Sequence, residues 1–156
     1  MISKLKVNVA ALADTLRFLH QSGLRRSEGV VLWLGQRNAE RSTVTHVYQP
    51  IHRAAADFFH IPREGMAHLM RYLDEHKVSV VALVLSHPHE AFHSKADDQW
   101  AIVRHLGALS LVLPDFARDV TSTNFMDMVA TFRLDATNRW VQVRKHELAM
   151  HMEVVP

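Results

Sequence analysis

The sequence predicts one α/β domain over residues 1–156, with a mixed sheet flanked by helices. Two segments carry apolar residues at the three-to-four-residue spacing of an amphipathic helix. Short apolar or alternating runs between and after them predict strands. The length of 156 residues and the hydrophobic content of 48% suit a single domain with a substantial core.

The first half of the chain predicts a helix, a hairpin and a second helix. Apolar spacing predicts an amphipathic helix over residues 8–22, with Gly23 as its end. Two β-rich runs, 30–35 and 44–48, are expected to form antiparallel strands. After a proline-containing connection, residues 66–73 return to helical spacing.

The second half predicts a central strand and three further strands. Residues 78–85 are almost entirely apolar, which is typical of a strand buried on both faces. A third helix is expected over 94–106, followed by a strand over 108–113. Residues 128–134 and 140–143 resemble the two arms of a hairpin.

Charge and composition exclude several classes of function. Eighteen Lys and Arg against sixteen Asp and Glu leave a net charge of only +2, so no electrostatic footprint for nucleic acid is present. No segment has the long apolar run of a membrane span, and a cytoplasmic protein is expected. The chain has no cysteine, so any metal must be held by His, Asp or Glu.

A cluster of potential metal ligands follows the predicted central strand. Residues 86–98 read SHPHEAFHSKADD, with three histidines, two serines, a glutamate and paired aspartates. Imidazole and carboxylate groups are the usual zinc ligands when cysteine is absent. The layout is that of a metal site at the edge of a sheet.

Two spaced motifs together resemble a known family. Glu28 stands seven residues before Gly35, which ends an early apolar run. Later, His87 precedes a proline, and Ser94 is followed three residues on by Asp97. This combination resembles the JAB/MPN (JAMM) family of zinc isopeptidases, which remove ubiquitin or ubiquitin-like proteins. The segment from Ala91 to Ser94, followed by Asp97 and Asp98, is similar to bacterial members that accompany E1-like and E2-like proteins.

The resemblance, over roughly residues 10–145, implies a fold and a site. The implied fold is a three-layer, cytidine-deaminase-like domain with a mixed, curved central sheet. The implied cofactor is Zn²⁺, with His87 and Asp97 as metal ligands, Glu28 as the general base and Ser94 as the hydrogen-bond donor to the oxyanion. The implied partners are a ubiquitin-like protein or its conjugate, together with E1-like and E2-like proteins. Defence against phage is an expectation for such bacterial gene clusters.

One position departs from the family pattern. Leu85 stands where the family has the first histidine ligand, and catalytic zinc usually takes three protein ligands. Strand alternation places Leu85 on the same side as His87 and His89, so either His89 or the nearby His93 replaces the missing ligand or no metal is bound. The choice of aspartate also stays open, because counting from the serine selects Asp97 and counting from the second histidine selects Asp98.

Two functions of different classes therefore remain. The first is a metal-dependent isopeptidase of a bacterial conjugation pathway. The second is a metal-free MPN-like binding or scaffolding module that keeps the fold without hydrolysis. Ser94 also suits a helix N-cap whether or not it acts in catalysis. The connections over 52–63 and 114–127 are expected to carry partner contacts.

Overall fold

The computed structural model describes residues 4–38, 40–54, 59–90 and 108–156. The strands in this part of the chain are β1 (Lys4–Asn8), β2 (Val30–Arg37), β3 (Arg41–Tyr48), β4 (Arg53–Ala54), β5 (Phe59–His60), β6 (Ser79–Ser86), β7 (Leu109–Leu113), β8 (Ala130–Leu134), β9 (Trp140–Val143) and β10 (Met152–Val155). The helices are α1 (Val9–Leu24), α2 (Arg63–His76) and the short α3 (Phe125–Met128), with 3-10 turns at Asp115–Ala117 and Lys145–Met150.

Eight of these strands form one mixed sheet in the order β10-β1-β3-β2-β6-β7-β8-β9. The β10–β1, β1–β3 and β6–β7 pairs are parallel, and the other neighbouring pairs are antiparallel. The short β4 and β5 pair only with each other. The structure confirms the predicted α/β class, the mixed sheet, both hairpins and the central position of β6.

Helices cover both faces of the sheet. Consecutive strand residues point to opposite faces, so each strand contributes side chains to two cores. In β2, Val31 and Trp33 pack in a core that includes the buried residues of α1. Leu32 and Leu34 pack in a second core with Leu69 of α2. The near-continuous apolar run of β2 is thus explained by burial on both faces.

A buried hydrogen-bond chain attaches α1 to the sheet. The Thr15 hydroxyl donates to the Ala11 carbonyl oxygen at 2.7 Å and accepts from the indole Nε1 of Trp33 at 2.8 Å. The side chain of Asn8 caps the helix by accepting from the Ala11 amide at 2.7 Å. A buried indole needs such a partner, and this bond fixes the position of α1 on β2.

Two details of the predicted elements are wrong. α1 continues one residue past Gly23, because this glycine allows close packing rather than ending the helix: a Cβ there would lie 3.0 Å from the Phe116 carbonyl oxygen. The strands β1 and β10 were not predicted, since each is only four or five residues long. Among the described residues, no helix combines the length and the apolar composition needed to cross a membrane.

Candidate active site

Glu28 is positioned by a backbone connection between β2 and β6. The amide of Gly29 donates to the Ser86 hydroxyl oxygen at 2.8 Å, and the Ser86 amide donates to the Gly29 carbonyl oxygen at 3.0 Å. A Cβ at Gly29 would lie 2.8 Å from Leu19 Cδ2 and 3.0 Å from Ser86 Oγ. The missing side chain at Gly29 therefore permits the close approach that holds Glu28 at the end of β6.

His87 is held on both sides of its backbone. Its amide donates to the Leu113 carbonyl oxygen at 2.9 Å, and its carbonyl oxygen accepts from the Phe116 amide at 2.7 Å. One bond comes from the end of β7 and the other from the turn that follows. The ring is consequently attached to two neighbouring segments rather than to a free loop.

The turn that holds His87 has an uncommon backbone. Asp115, Phe116 and Ala117 have φ values of 51°, 55° and 59°, in the left-handed region that non-glycine residues seldom occupy. The Asp115 amide donates to the His89 carbonyl oxygen at 2.8 Å, and His20 Nε2 lies 2.7 Å from the Ala117 carbonyl oxygen. Such strain costs on the order of 1–3 kcal/mol per residue and persists only where surrounding contacts impose it.

Glu28 and His87 come together at the end of the β2–β6 pair. Glu28 Oε1 lies 3.5 Å from His87 Nε2, and the two side chains are 2% and 3% exposed, respectively. Burying a carboxylate is costly unless a cation or hydrogen bonds compensate it, so a glutamate side chain that is 2% exposed needs compensation from its neighbours. A carboxylate beside an imidazole also has the two groups most often used to transfer protons in enzymes.

Leu85 lies next to this pair in the sheet. It pairs with Val30 across the β2–β6 ladder, is 0% exposed, and packs in the core on the α2 side with Leu83 and Val112. Position 85, where the sequence predicts no metal ligand, is therefore filled by a buried apolar side chain next to the strand ends that carry Glu28 and His87.

The other predicted ligands are not all placed. His89 is exposed, and its carbonyl oxygen is bound by Asp115. In the part of the chain that the structure describes, no group of three His, Asp or Glu residues could hold a metal ion. The predicted residues His93, Ser94, Asp97 and Asp98, and the helix over 94–106, lie outside the described residues, so their roles stay predictions.

Sequence reasoning missed two supports of this site. Ser86 falls inside the histidine-proline motif, but its bond to Gly29 depends on a strand that is distant in sequence. The left-handed turn at 115–117 contains neither glycine nor asparagine, the residues that usually signal positive φ. Only the neighbouring Pro114 marks this segment as the end of a strand.

Sequence similarity places the chain in a metalloprotease-like family. The relative that shows this is a protein of Sinorhizobium fredii named "Probable metalloprotease y4jG", which is 31% identical over 139 residues. The match covers 86% of this chain and 82% of that protein, so the chain belongs to the same family. No protein-family model matches the sequence.

The fold is similar to the solution structure of protein DSY2949 from Desulfitobacterium hafniense. The TM-score is 0.69, and the similarity covers 97% of this chain and 92% of that chain. The sequence identity is 12%, so this similarity describes the fold and carries no statement about activity.

Proposed function

We propose that this protein is a zinc-dependent hydrolase of the JAB/MPN type, which cleaves the isopeptide bond between a ubiquitin-like protein and a lysine side chain. The observation that carries the proposal is the buried contact of Glu28 Oε1 with His87 Nε2 at 3.5 Å. The family relationship to a protein named as a metalloprotease supports it. In this proposal the protein acts in the bacterial cytoplasm, with E1-like and E2-like proteins of the same pathway.

The donor groups fit a zinc site in part. His87 supplies an imidazole of the kind that zinc prefers, and Glu28 stands beside it as a carboxylate. Catalytic zinc takes three protein ligands and keeps one position for water. The proposal assigns Asp97 as a second ligand, and takes the third from His89 or His93, since Leu85 cannot coordinate a metal.

In the proposed reaction, Glu28 and Ser94 have separate roles. When bound, zinc would supply a water molecule whose pKa is lowered towards neutrality and would polarise the carbonyl group. Glu28 accepts a proton from the attacking water and later delivers it to the leaving lysine amine, so no covalent enzyme intermediate forms. Ser94 donates a hydrogen bond to the oxygen of the tetrahedral intermediate.

A metal-free binding or scaffolding module is the second candidate. The observation that favours it is the complete burial of Leu85 in the apolar core, at the position where the family has a ligand. Such a module would keep the fold and the ability to hold a ubiquitin-like tail. One fold can host more than one function, so the chemistry of the site, and not the fold, distinguishes the hydrolase from the binding module.

Hydrolysis of a ubiquitin-like conjugate separates these candidates. The zinc-loaded chain is expected to release the modifier, and Glu28→Gln is expected to lower kcat by at least about a hundredfold, because it removes the general base. Glu75→Gln changes an exposed glutamate of α2 in the same way and should leave kcat unchanged. If the wild-type chain binds the conjugate without cleaving it, the scaffold is the better account. Equal activity of Glu28→Gln and wild type would refute the assigned base.

A further inference from the structure

A cavity of about 540 Å³ lies on the α1 side of the sheet, where β6 ends, and is not used by the proposed chemistry. The end of α1, the connection after it, the loop after β6 and the turn after β7 form its walls. Arg26 and Arg118 both line it, and we call it the arginine pocket. Its volume is within the range of pockets that bind small molecules or short segments of a larger ligand.

The arginine pocket adjoins both segments that carry the buried pair. Arg26 precedes Glu28 by two residues, and His89 follows His87 by two residues, and both Arg26 and His89 line the pocket. Phe116, also in the wall, donates its amide to the His87 carbonyl oxygen. An occupant of this pocket would therefore lie beside the backbone of His87, on the α1 side of the sheet.

The charge of the wall favours an anionic group. Within the described ranges, the Arg26 side chain takes part in no salt bridge or hydrogen bond. Arg118 Nε lies 3.9 Å from Asp119 Oδ1, and the two side chains are 76% and 68% exposed. Such a surface ion pair contributes little to stability, so it leaves the Arg118 guanidinium available to a ligand. Among the described residues of the wall, Asp115 is the single acidic one. Guanidinium groups bind carboxylates by paired hydrogen bonds, so the two arginines suit an acidic side chain.

The wall also offers an apolar surface. Leu24 is 87% exposed, which is the highest exposure among the large hydrophobic residues that the structure describes. Phe116 and Pro88 line the same pocket. Covering a leucine side chain with another apolar group is favourable because apolar surface leaves water. The ligand that matches this wall therefore carries an aliphatic group as well as a carboxylate.

We propose that the arginine pocket binds a segment of the protein substrate in which an acidic side chain adjoins an aliphatic one. The inference rests on the proposed function, since it names a recognition element of that substrate. Arg26 and Arg118 bind the carboxylate, and Leu24 and Phe116 cover the aliphatic group. The pocket thus favours protein substrates that carry such a segment.

The test measures binding alone, in the full-length Glu28→Gln chain, by fluorescence polarisation. Two fluorescein-labelled peptides serve as probes: Ala-Ala-Leu-Glu-Ala-Ala and the same peptide with Lys in place of Glu. The glutamate peptide is expected to bind about tenfold more tightly, which is the usual scale of one charge-assisted hydrogen bond. The Arg26→Gln/Arg118→Gln double variant should abolish this preference.

The matched control is the Arg17→Gln/Arg25→Gln double variant, which removes the same charge from exposed positions of α1 and its end, outside the pocket. It should keep the preference, and thermal unfolding should show all variants folded. Equal affinity for the two peptides, no binding of the glutamate peptide, or loss of preference in the control would overturn the proposal. Because polarisation needs no turnover, a failure of hydrolysis remains a separate result.

Discussion

Glu28 Oε1 lies 3.5 Å from His87 Nε2, although the two residues enter the site from the ends of different strands. Val30 and Leu85 pair immediately beside them in the β2–β6 ladder. Two hydrogen bonds between Gly29 and Ser86, one to the Ser86 hydroxyl and one between backbone groups, extend the contact between the strands towards the pair. The geometry of the site is therefore set by strand pairing, and each contact that holds the strand ends can be tested.

Ser86→Ala is expected to lower the free energy of unfolding by about 1–3 kcal/mol, because the Gly29 amide loses the hydroxyl that accepts its hydrogen bond in a buried position. Urea unfolding measures the change. Ser79→Ala, at the exposed start of the same strand, is the control and should stay within about 0.5 kcal/mol of wild type. Equal effects of the two substitutions would show that the Gly29–Ser86 bond contributes nothing.

Gly35→Ala is expected to destabilise the protein more than Gly29→Ala. A Cβ at Gly35 would overlap the backbone carbonyl oxygen of Thr43, where β2 and β3 shift register, and this backbone cannot move without disturbing the sheet. A Cβ at Gly29 meets the tip of Leu19 and the Ser86 hydroxyl, both of which are side chains.

The expected losses are about 1–3 kcal/mol for Gly29→Ala and more for Gly35→Ala, by the cost of overpacking. Thermal and urea unfolding of the two variants give the order directly. The reverse order would mean that the close contact at the β2–β3 bulge is easily relieved.

Leu85→His tests whether position 85 faces the metal site. In zinc-free protein the substitution is expected to cost about 2–4 kcal/mol, since it replaces a fully buried leucine with a polar ring. Added zinc should raise the unfolding midpoint of this variant more than that of wild type, because the new imidazole supplies the ligand that the family has there.

Leu85→Met is the control for this experiment. It conserves volume and should cost less than about 1.5 kcal/mol, with no additional response to zinc. If zinc stabilises Leu85→His no more than Leu85→Met, position 85 does not reach the metal site.

The fold was largely predictable because its long elements have strong periodicity. α2 and β6 follow directly from apolar spacing and from a continuous apolar run. The strands β1 and β10 were missed because alternating burial over so few residues is a weak signal. Their parallel pairing also joins segments from the two ends of the described chain, a contact that no local pattern encodes.

The site was predictable only in part. The spacing of Glu28 and His87 relative to their motifs identified two residues that the structure brings together. The turn at 115–117 could not be predicted, since its left-handed backbone is imposed by bonds to the His87 and His89 carbonyl groups and to His20 rather than by its own residue types.

Zinc content decides whether the buried pair belongs to a metal site. Elemental analysis of the purified, untagged chain should give about one zinc ion per molecule, as expected for one catalytic site. His87→Ala should lose most of that zinc, while Glu28→Gln should retain it, because the proposal assigns Glu28 to proton transfer and not to coordination. A folded wild-type protein that takes up no zinc when zinc is supplied would contradict the metal-dependent mechanism and favour the scaffold.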